Sequence, residues 1–373
     1  MFDLVVVGGN LSGVTAAINA AEKGLKVALV EKNKHPLNPP HCGEGLLEPV
    51  GDLLGLFETN CHKNRVNKLI INVASPEEYV INLKKYFLVI FDRNHVENDL
   101  LKTAEKLGVE LYLGVKMKDF IPPNEVIIDN KKISGKIIID ASGIACEVGR
   151  RVGLKTKIKK ENIGVCIQSR VAGKFESNTV KIWFHKPYAP FGYAWLFPIN
   201  ENLANIGIGI RGRQNIDLNT SLKHFIKDTV KGSYKLTSTF KSCVPADLPL
   251  NQLYKENIMI TGDAARLVDT FAAGGIRNAV LSGKLAGKVA AKYIKGEITS
   301  LKPYQDVMSS IINNLIKFYS KTSYTLKSEE IYLKEYRKAI KFLSIIHSIA
   351  PSFLEKFLIR AFIKDIKIIE SYD

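Results

Sequence analysis

The chain has 373 residues, 46% hydrophobic and 24% charged, and its 53 Lys and Arg against 37 Asp and Glu give a net charge of +16. That apolar share supports packed cores and excludes a disordered or low-complexity chain, and the length suggests about two or three domains. The basic surplus suits an anionic lipid surface, a phosphorylated substrate, an acidic protein or a simply solvated lysine-rich face, and with no DNA- or RNA-reading motif beside it nucleic acid is not expected as a partner.

Leu4–Val7 is a continuous apolar run, as in a strand buried on both faces. A glycine-rich turn follows, then an Ala-rich helix over Val14–Glu22 stopped by Gly24, and a second strand at Val27–Val30: a β-α-β unit. Residues 35–60 read as irregular, with Pro36, Pro39 and Pro40, residues 66–91 as short strands, and residues 94–107 as a helix ended by Gly108. Runs at 109–115, 125–129 and 136–139 read as further strands. The alternating segments Gly164–Val171, Val180–His185, Tyr193–Pro198 and Asn205–Ile210 predict an antiparallel sheet. Asn257–Ile260 is another buried strand, leading through a second Gly-rich turn into a long helix of small residues. The tail after residue 300 is helical, aromatic and basic.

Cys42, Cys61, Cys146, Cys166 and Cys243 are widely spaced and lack a C-x-x-C. That pattern argues against a zinc site or a disulfide framework and for a reducing compartment. No run reaches the about 18 apolar residues of a membrane span, and Met1 leads straight into a strand without room for a signal peptide. A cytoplasmic protein is expected, with peripheral contact at the cytoplasmic membrane face.

The first turn is Gly8-Gly9-Asn10-Leu11-Ser12-Gly13. In a dinucleotide fingerprint the first glycine permits the turn, the second admits the pyrophosphate and the third lets helix pack on strand. Gly8 and Gly13 fill the outer positions, and Asn10 stands at the middle one. Asn tolerates positive φ better than other non-glycine residues, so the turn is expected to survive. Glu31, ending the second strand, is positioned for the hydroxyls of an unphosphorylated adenosine ribose. The plain alternative is a βα turn of some other α/β protein.

Two more segments narrow the choice. Ile258-Met259-Ile260-Thr261-Gly262-Asp263 ends a strand in Gly-Asp, and Phe271-Ala272-Ala273-Gly274-Gly275-Ile276 opens a helix. The pair resembles FAD enzymes of the hydroxybenzoate-hydroxylase and glutathione-reductase class. The resemblance implies that Asp263 meets the ribityl chain and that the helix N-terminus faces the flavin N1–C2=O edge. Charge at such a terminus is stabilised by about 0.3–2 kcal/mol. Ala279, Gly283, Ala286, Gly287 and Ala290 let that helix pack closely. Ile138–Gly143 resembles the Asp-Gly segment of the class, with Arg150 and Arg151 just beyond, and Arg93 matches its cofactor-facing arginine. The fold class expected is α/β. An FAD-binding Rossmann-type domain is made of residues 1–65, 92–160 and 250–298. An antiparallel substrate sheet comes from 66–91 and 161–249, and a helical region spans 299–373.

Cys42-Gly43-Glu44-Gly45, Tyr193-Ala194-Trp195-Leu196-Phe197-Pro198 and Gly207-Ile208-Gly209 together resemble the geranylgeranyl reductase family, over roughly residues 1–295. The family consists of FAD-dependent prenyl reductases, whose archaeal branch saturates the isoprenoid chains of membrane lipids. The resemblance implies FAD contacts at Ser12, Glu31, Cys42, Gly43, Gly45, Arg93, Val115, Asp263, Gly275 and Ile276, beside Gly8, Asn10, Gly13 and Gly274. It implies a prenylated phospholipid substrate. No second dinucleotide fingerprint is present, so the electron donor is either a visiting NAD(P)H or ferredoxin.

Strand alternation supports the same reading: Tyr193, Trp195 and Phe197 share one face, and Gly207 and Gly209 share another row. If the rows adjoin, the glycines leave a trough beside an aromatic wall, a substrate slot; the bland alternative is a core stripe. An isolated alkene accepts hydride once a proton has built tertiary cationic character. Each nearby aromatic face stabilises such a cation by about 0.5–2 kcal/mol. Tyr193 and Trp195 are assigned that role and Cys42 that of proton donor or relay, against the alternative of an inert thiol. A halogenase or monooxygenase of the same fold, or a non-catalytic flavin-containing membrane-surface protein, are the competing readings.

Overall fold

The computed structural model describes residues 1–35, 42–58, 61, 63–74, 78–84, 87–129, 131–212, 214–270 and 273–372. Pro36, Pro39, Pro40, Phe271 and Ala272 therefore lie outside the described residues. In chain order, β1 (Phe2–Val7), α1 (Leu11–Glu22) and β2 (Val27–Glu31) come first. They are followed by β3 (Gly45–Leu47), α2 (Glu48–Leu53), β4 (Lys63–Val66), β5 (Lys68–Val73), β6 (Glu78–Asn82) and β7 (Leu88–Phe91). Next come α3 (Arg93–Lys106), β8 (Glu110–Leu113), β9 (Met117–Ile121), β10 (Glu125–Ile128), β11 (Lys131–Asp140) and α4 (Glu147–Arg151). The second half holds β12 (Ile163–Ala172), β13 (Thr179–Phe184), β14 (Tyr193–Asn200), β15 (Leu203–Arg211), α5 (Leu218–Thr229) and β16 (Lys235–Pro245). It continues with β17 (Tyr254–Lys255), β18 (Ile258–Ile260), α6 (Ile276–Ile294), α7 (Lys302–Thr325), α8 (Glu329–Ile349) and α9 (Pro351–Glu370).

The first sheet runs β17-β18-β11-β1-β2-β8, with the β9–β10 hairpin built onto β11. β1 pairs in parallel with both β11 and β2. Its Leu4, Val5 and Val6 are fully buried, which is why the strand reads as an unbroken apolar run. α1 and α6 pack on each other through missing side chains: a Cβ on Gly283 would lie 2.2 Å from Ser12 O, and one on Gly287 2.4 Å from Ala16 O. Gly283 and Gly287, in the middle of α6, thus let that helix lie directly against the first turns of α1.

The second sheet runs β16-β12-β15-β14-β13-β5-β6, antiparallel except where β13 meets β5. One face carries Ala194, Leu196, Ile206, Ile208, Ile167 and Val171, and is buried under Leu222, Phe225 and Ile226 of α5. The register Trp195↔Gly207 and Gln168↔Gly207 puts Trp195 and Gln168 on the opposite face. A third sheet, β3-β7-β4, holds the loop after Cys42.

Most expected elements are present with ends moved by one to three residues, as fraying allows. The helix expected at 94–107 begins at Arg93, because the Asp92 side chain caps it by accepting from His95 N at 3.0 Å. β9 and β16 are additions: β16 is half polar and exposed, so alternation marks it weakly. In the stretch 66–91, β5 and β6 join the second sheet while β7 pairs with β3 and β4. Among the described residues no helix is long and apolar enough to cross a membrane.

Candidate active site

The nucleotide turn is built by glycine at two positions. Gly8 has φ +106°, and a Cβ there would lie 2.2 Å from Ala141 O; a Cβ on Gly13 would lie 1.8 Å from Gly8 O. Asn10 is extended, at φ −75° and ψ −177°, and precedes α1 without a side-chain cap. The expected use of its tolerance for positive φ is therefore corrected: the left-handed step is taken by Gly8. Gly9, which the fingerprint reading passed over, is needed for Glu31. A Cβ there would lie 2.9 Å from Glu31 Cβ, and Gly9 N donates to Glu31 Oε2 at 2.8 Å. Asn33 N donates to Oε1 at 2.8 Å, and Val115 N to the Glu31 backbone carbonyl at 2.9 Å. With no acidic side chain in the first turn of α1 and no side-chain cap, its leading amides suit a phosphate.

The second helix terminus has the same character. Gly275 precedes α6 with no side-chain cap, and a Cβ on Gly274 would meet nothing within 4 Å. Asp263 lies beside it: a Cβ on Gly275 would be 3.5 Å from Asp263 Oδ1. Burial pushes the Asp263 carboxyl above its ordinary pKa, and the Arg93 charge opposes that. Ser12 comes close too, its Oγ 2.6 Å from where a Gly262 Cβ would stand. Two uncapped helix starts, a glycine cradle and a buried carboxyl thus converge, and these residues fit FAD. Asp140 turns elsewhere: it accepts from Val148 N and Gly149 N at 2.8 Å each and caps α4. Arg150 and Arg151 pair with Glu147, so this segment is structural.

Between these helix ends and the second sheet lies the Cys42 loop. The Cys42 sulfur accepts from Glu44 N at 3.2 Å and lies close enough to the Arg93 guanidinium to favour its charge. Arg93 in turn grips Glu97 Oε1 with Nε at 2.9 Å and Nη2 at 2.7 Å. Glu97 is fully buried and its Oε2 has no partner among the described residues. Burial opposes the charge on Arg93, but Glu97 and Cys42 more than restore it, and its pKa stands above the ordinary arginine value. Glu44, at φ 65°, is anchored to the sheet. It accepts from Arg170 Nη2 at 3.1 and 2.9 Å and from Asn205 Nδ2 at 2.8 Å. Burial raises its pKa against the pull of Arg170.

The aromatic row meets this loop through Gln168, whose Nε2 donates to Cys42 O at 2.9 Å while its Oε1 accepts from Trp195 Nε1 at 2.9 Å. Gly207 and Gly209 do adjoin the row, facing Trp195 and Tyr193. The expected open trough is corrected, however: a Cβ on Gly207 would lie 2.3 Å from Trp195 Cζ2, so the indole itself fills that space. Phe197 lies under the loop, 3.0 Å from a Gly43 Cβ and 3.1 Å from a Gly45 Cβ. Tyr193 stacks 5.7 Å from both Trp195 and Phe184. Phe184 continues the stack to Tyr336 of α8 at 4.5 Å, and Tyr332 donates to Gly192 O at 3.1 Å. Cys166 lies on the same face, beside Gly209, and burial pushes its thiol to about 12. Gln168, Arg170, Asn205 and Tyr336 were absent from the sequence reading. The signal for two of them was the row Cys166, Gln168, Arg170, polar residues two apart on a buried strand.

Comparison with known proteins points to the same class of enzyme. The geranylgeranyl reductase catalytic domain family matches residues 162–242 and the FAD dependent oxidoreductase family residues 3–185. A digeranylgeranylglycerophospholipid reductase of Methanococcoides burtonii is 30% identical over 88% of this chain and 86% of its own. Another, of Methanopyrus kandleri, is 28% identical over 82% and 85%. A geranylgeranyl bacteriochlorophyll reductase-like structure from Thermoplasma acidophilum has TM-score 0.83 at 23% identity, covering 100% and 99% of the two chains. A flavin-dependent brominase has TM-score 0.66 at 17% identity over 89% and 92%, a likeness of fold.

Proposed function

The chain belongs to the geranylgeranyl reductase family, and on that premise we propose that it saturates the isoprenoid double bonds of a geranylgeranylated phospholipid precursor at the Cys42 loop. It is an FAD-dependent oxidoreductase acting on carbon–carbon double bonds. Gly8, Gly13 and the first turn of α1 would hold the pyrophosphate, Glu31 the adenosine ribose, Asp263 the ribityl chain, and Gly274, Gly275 and Ile276 the flavin edge. Bound and reduced, FAD supplies the hydride that one alkene carbon receives. The other carbon takes a proton from the Cys42 thiol. Loss of that proton leaves a thiolate, which the Glu44 N–H at the sulfur and the nearby positive charge of Arg93 stabilise. Tyr193 and Trp195 stabilise the cationic carbon by about 0.5–2 kcal/mol each. Burying the chain contributes about 0.8 kcal/mol per CH₂, so apolar contact dominates affinity.

The observation that carries this reading is the Gln168 bridge, which fixes the Cys42 carbonyl to the Trp195 indole. Electrons come from NAD(P)H or an acidic ferredoxin, the latter suiting a net charge of +16. Peripheral contact with an anionic bilayer is supported by Phe342, Ile345 and Ile349 of α8, which are 63%, 48% and 79% exposed. Lys338 and Lys341 lie exposed on the same helix. The test is mass spectrometry of a geranylgeranylated phospholipid after anaerobic incubation with dithionite-reduced, FAD-loaded protein. The expected product gains one H₂ per double bond. Unchanged lipid, or oxygen-dependent hydroxylation or halogenation instead, overturns the reading.

A further inference from the structure

Arg211 ends the row that begins at the Cys42 loop. On β15 the side chains of Asn205, Gly207, Gly209 and Arg211 share a face. Asn205 holds Glu44 and Gly207 underlies Trp195. Arg211 is 8% exposed. Its Nη2 donates to Ala246 O at 2.5 Å, and its guanidinium stands 5.4 Å from the Tyr319 ring of α7. Its buried Nε has no partner among the described residues.

Charge sets this arginine apart. Arg93, Arg170, Arg266 and Arg277 are also largely buried, and each has a carboxylate partner: Glu97, Glu44, Asp247 and Asp365. Among the described residues no carboxylate lies within 4.0 Å of Arg211. Asp247 is the acid whose field it feels, and that group is already bound by Arg266 at 3.3 Å and Asn162 at 2.9 Å. A buried guanidinium without an anion, and with an N–H unused, carries a desolvation cost that an incoming anion offsets.

We infer that Arg211 is the receptor for the phosphate of the lipid substrate, anchoring the head so that the chain runs along the row towards Trp195. This rests on the prenyl-lipid reductase reading. Strand rise puts Arg211 about 13–14 Å from Gly207, within the reach of an extended geranylgeranyl chain. The planar donor fork of arginine matches phosphate oxygens, and at 8% exposure Arg211 would make that pair largely out of water.

The test uses FAD-loaded, dithionite-reduced full-length protein and two substrates, digeranylgeranylglyceryl phosphate and its uncharged alcohol. The native protein is expected to prefer the phosphate by about tenfold to a hundredfold in kcat/KM. Arg211→Gln is expected to erase the preference through a raised KM for the phosphate, its handling of the alcohol changing far less. Arg211→Lys, which keeps the charge and guards against misfolding, is expected to retain part of it. FAD content and melting temperature are recorded for each. Equal use of both lipids by the native protein, or a preference that survives in Arg211→Gln, overturns the inference. If inorganic phosphate stabilises the native protein but not Arg211→Gln while both lipids are used equally, the site takes free phosphate and the headgroup role falls. Reduction of neither lipid removes the reductase reading itself.

Discussion

Glu44 takes two hydrogen bonds, 3.1 and 2.9 Å long, from a single η nitrogen of Arg170 across the seam between the Cys42 loop and the second sheet. The same carboxylate is held by Asn205 and sits on a residue with φ 65°. A non-glycine residue in that region costs about 1–3 kcal/mol unless its surroundings over-determine it. Here those three hydrogen bonds do so, and what they fix is the position of the Cys42 sulfur two residues away.

Glu44→Gln keeps the shape and removes the charge, leaving Arg170 without its anion. Breaking a buried pair this way destabilises by about 3–5 kcal/mol. The expected outcome is a lowered melting temperature together with a turnover loss of about tenfold or more. KM for the lipid is expected to change little, since the row on β14 and β15 is intact. Steady-state kinetics normalised to bound FAD check it; turnover per flavin equal to that of the native protein would show that the loop needs no such anchor.

The glycines of β15 make a second test. A methyl group at Gly207 would meet the Trp195 ring at 2.3 Å and Ile167 O at 2.9 Å, whereas at Gly209 the nearest atom is Cys166 Sγ at 3.1 Å. Gly207→Ala is therefore expected to displace the indole, break its bond to Gln168 and destabilise by about 1–3 kcal/mol. Gly209→Ala is expected to be much milder. Tryptophan fluorescence and turnover report both; equal effects at the two positions would mean that the indole does not occupy this space.

That contrast shows where sequence reading reached its limit. The glycine turn, Glu31, the Gly-Asp strand end and the small-residue helix are local patterns with one physical meaning each, and all were legible in the chain. That Gly207 faces Trp195 depends on pairing between strands, so alternation could say which side chains share a face but not that a ring fills the gap. Tyr336, Tyr319 and Arg211 come together only through packing of α7 and α8 on the sheet, more than a hundred residues along the chain. The Asn10 position misled because positive φ was assigned to the departure from the fingerprint, when Gly8 carries it.

Asp263 gives a pH prediction. Burial raises its folded pKa above the unfolded value of about 3.9. Its contribution to stability is therefore complete below that unfolded value and is lost as pH rises through the folded one. The FAD-free protein should gain stability towards mild acid from this group. Asp263→Asn should melt higher than the native FAD-free protein near neutral pH, the gap closing as pH falls, and should bind FAD more weakly if the carboxylate holds the ribityl chain. Melting curves across the range from about pH 4 to 8, with and without FAD, check both halves.

Arg93 separates chemistry from scaffolding. Removing it alone, as Arg93→Met, leaves Glu97 buried with neither oxygen paired, and the stability loss belongs largely to that stranded carboxylate. Replacing both, as Arg93→Met with Glu97→Leu, removes the buried charges together and is expected to recover most of the melting temperature. Turnover should not recover, because the Cys42 sulfur still lacks the guanidinium that would hold its thiolate. Cys42→Ala should lose about 10²–10⁴-fold in turnover with FAD retained, and adding Arg93→Met to it should cost little more, since both changes disable one proton transfer. If the double replacement at Arg93 and Glu97 restores turnover along with stability, Arg93 acts only through packing, and the proton must reach the alkene by a route that does not involve this pair.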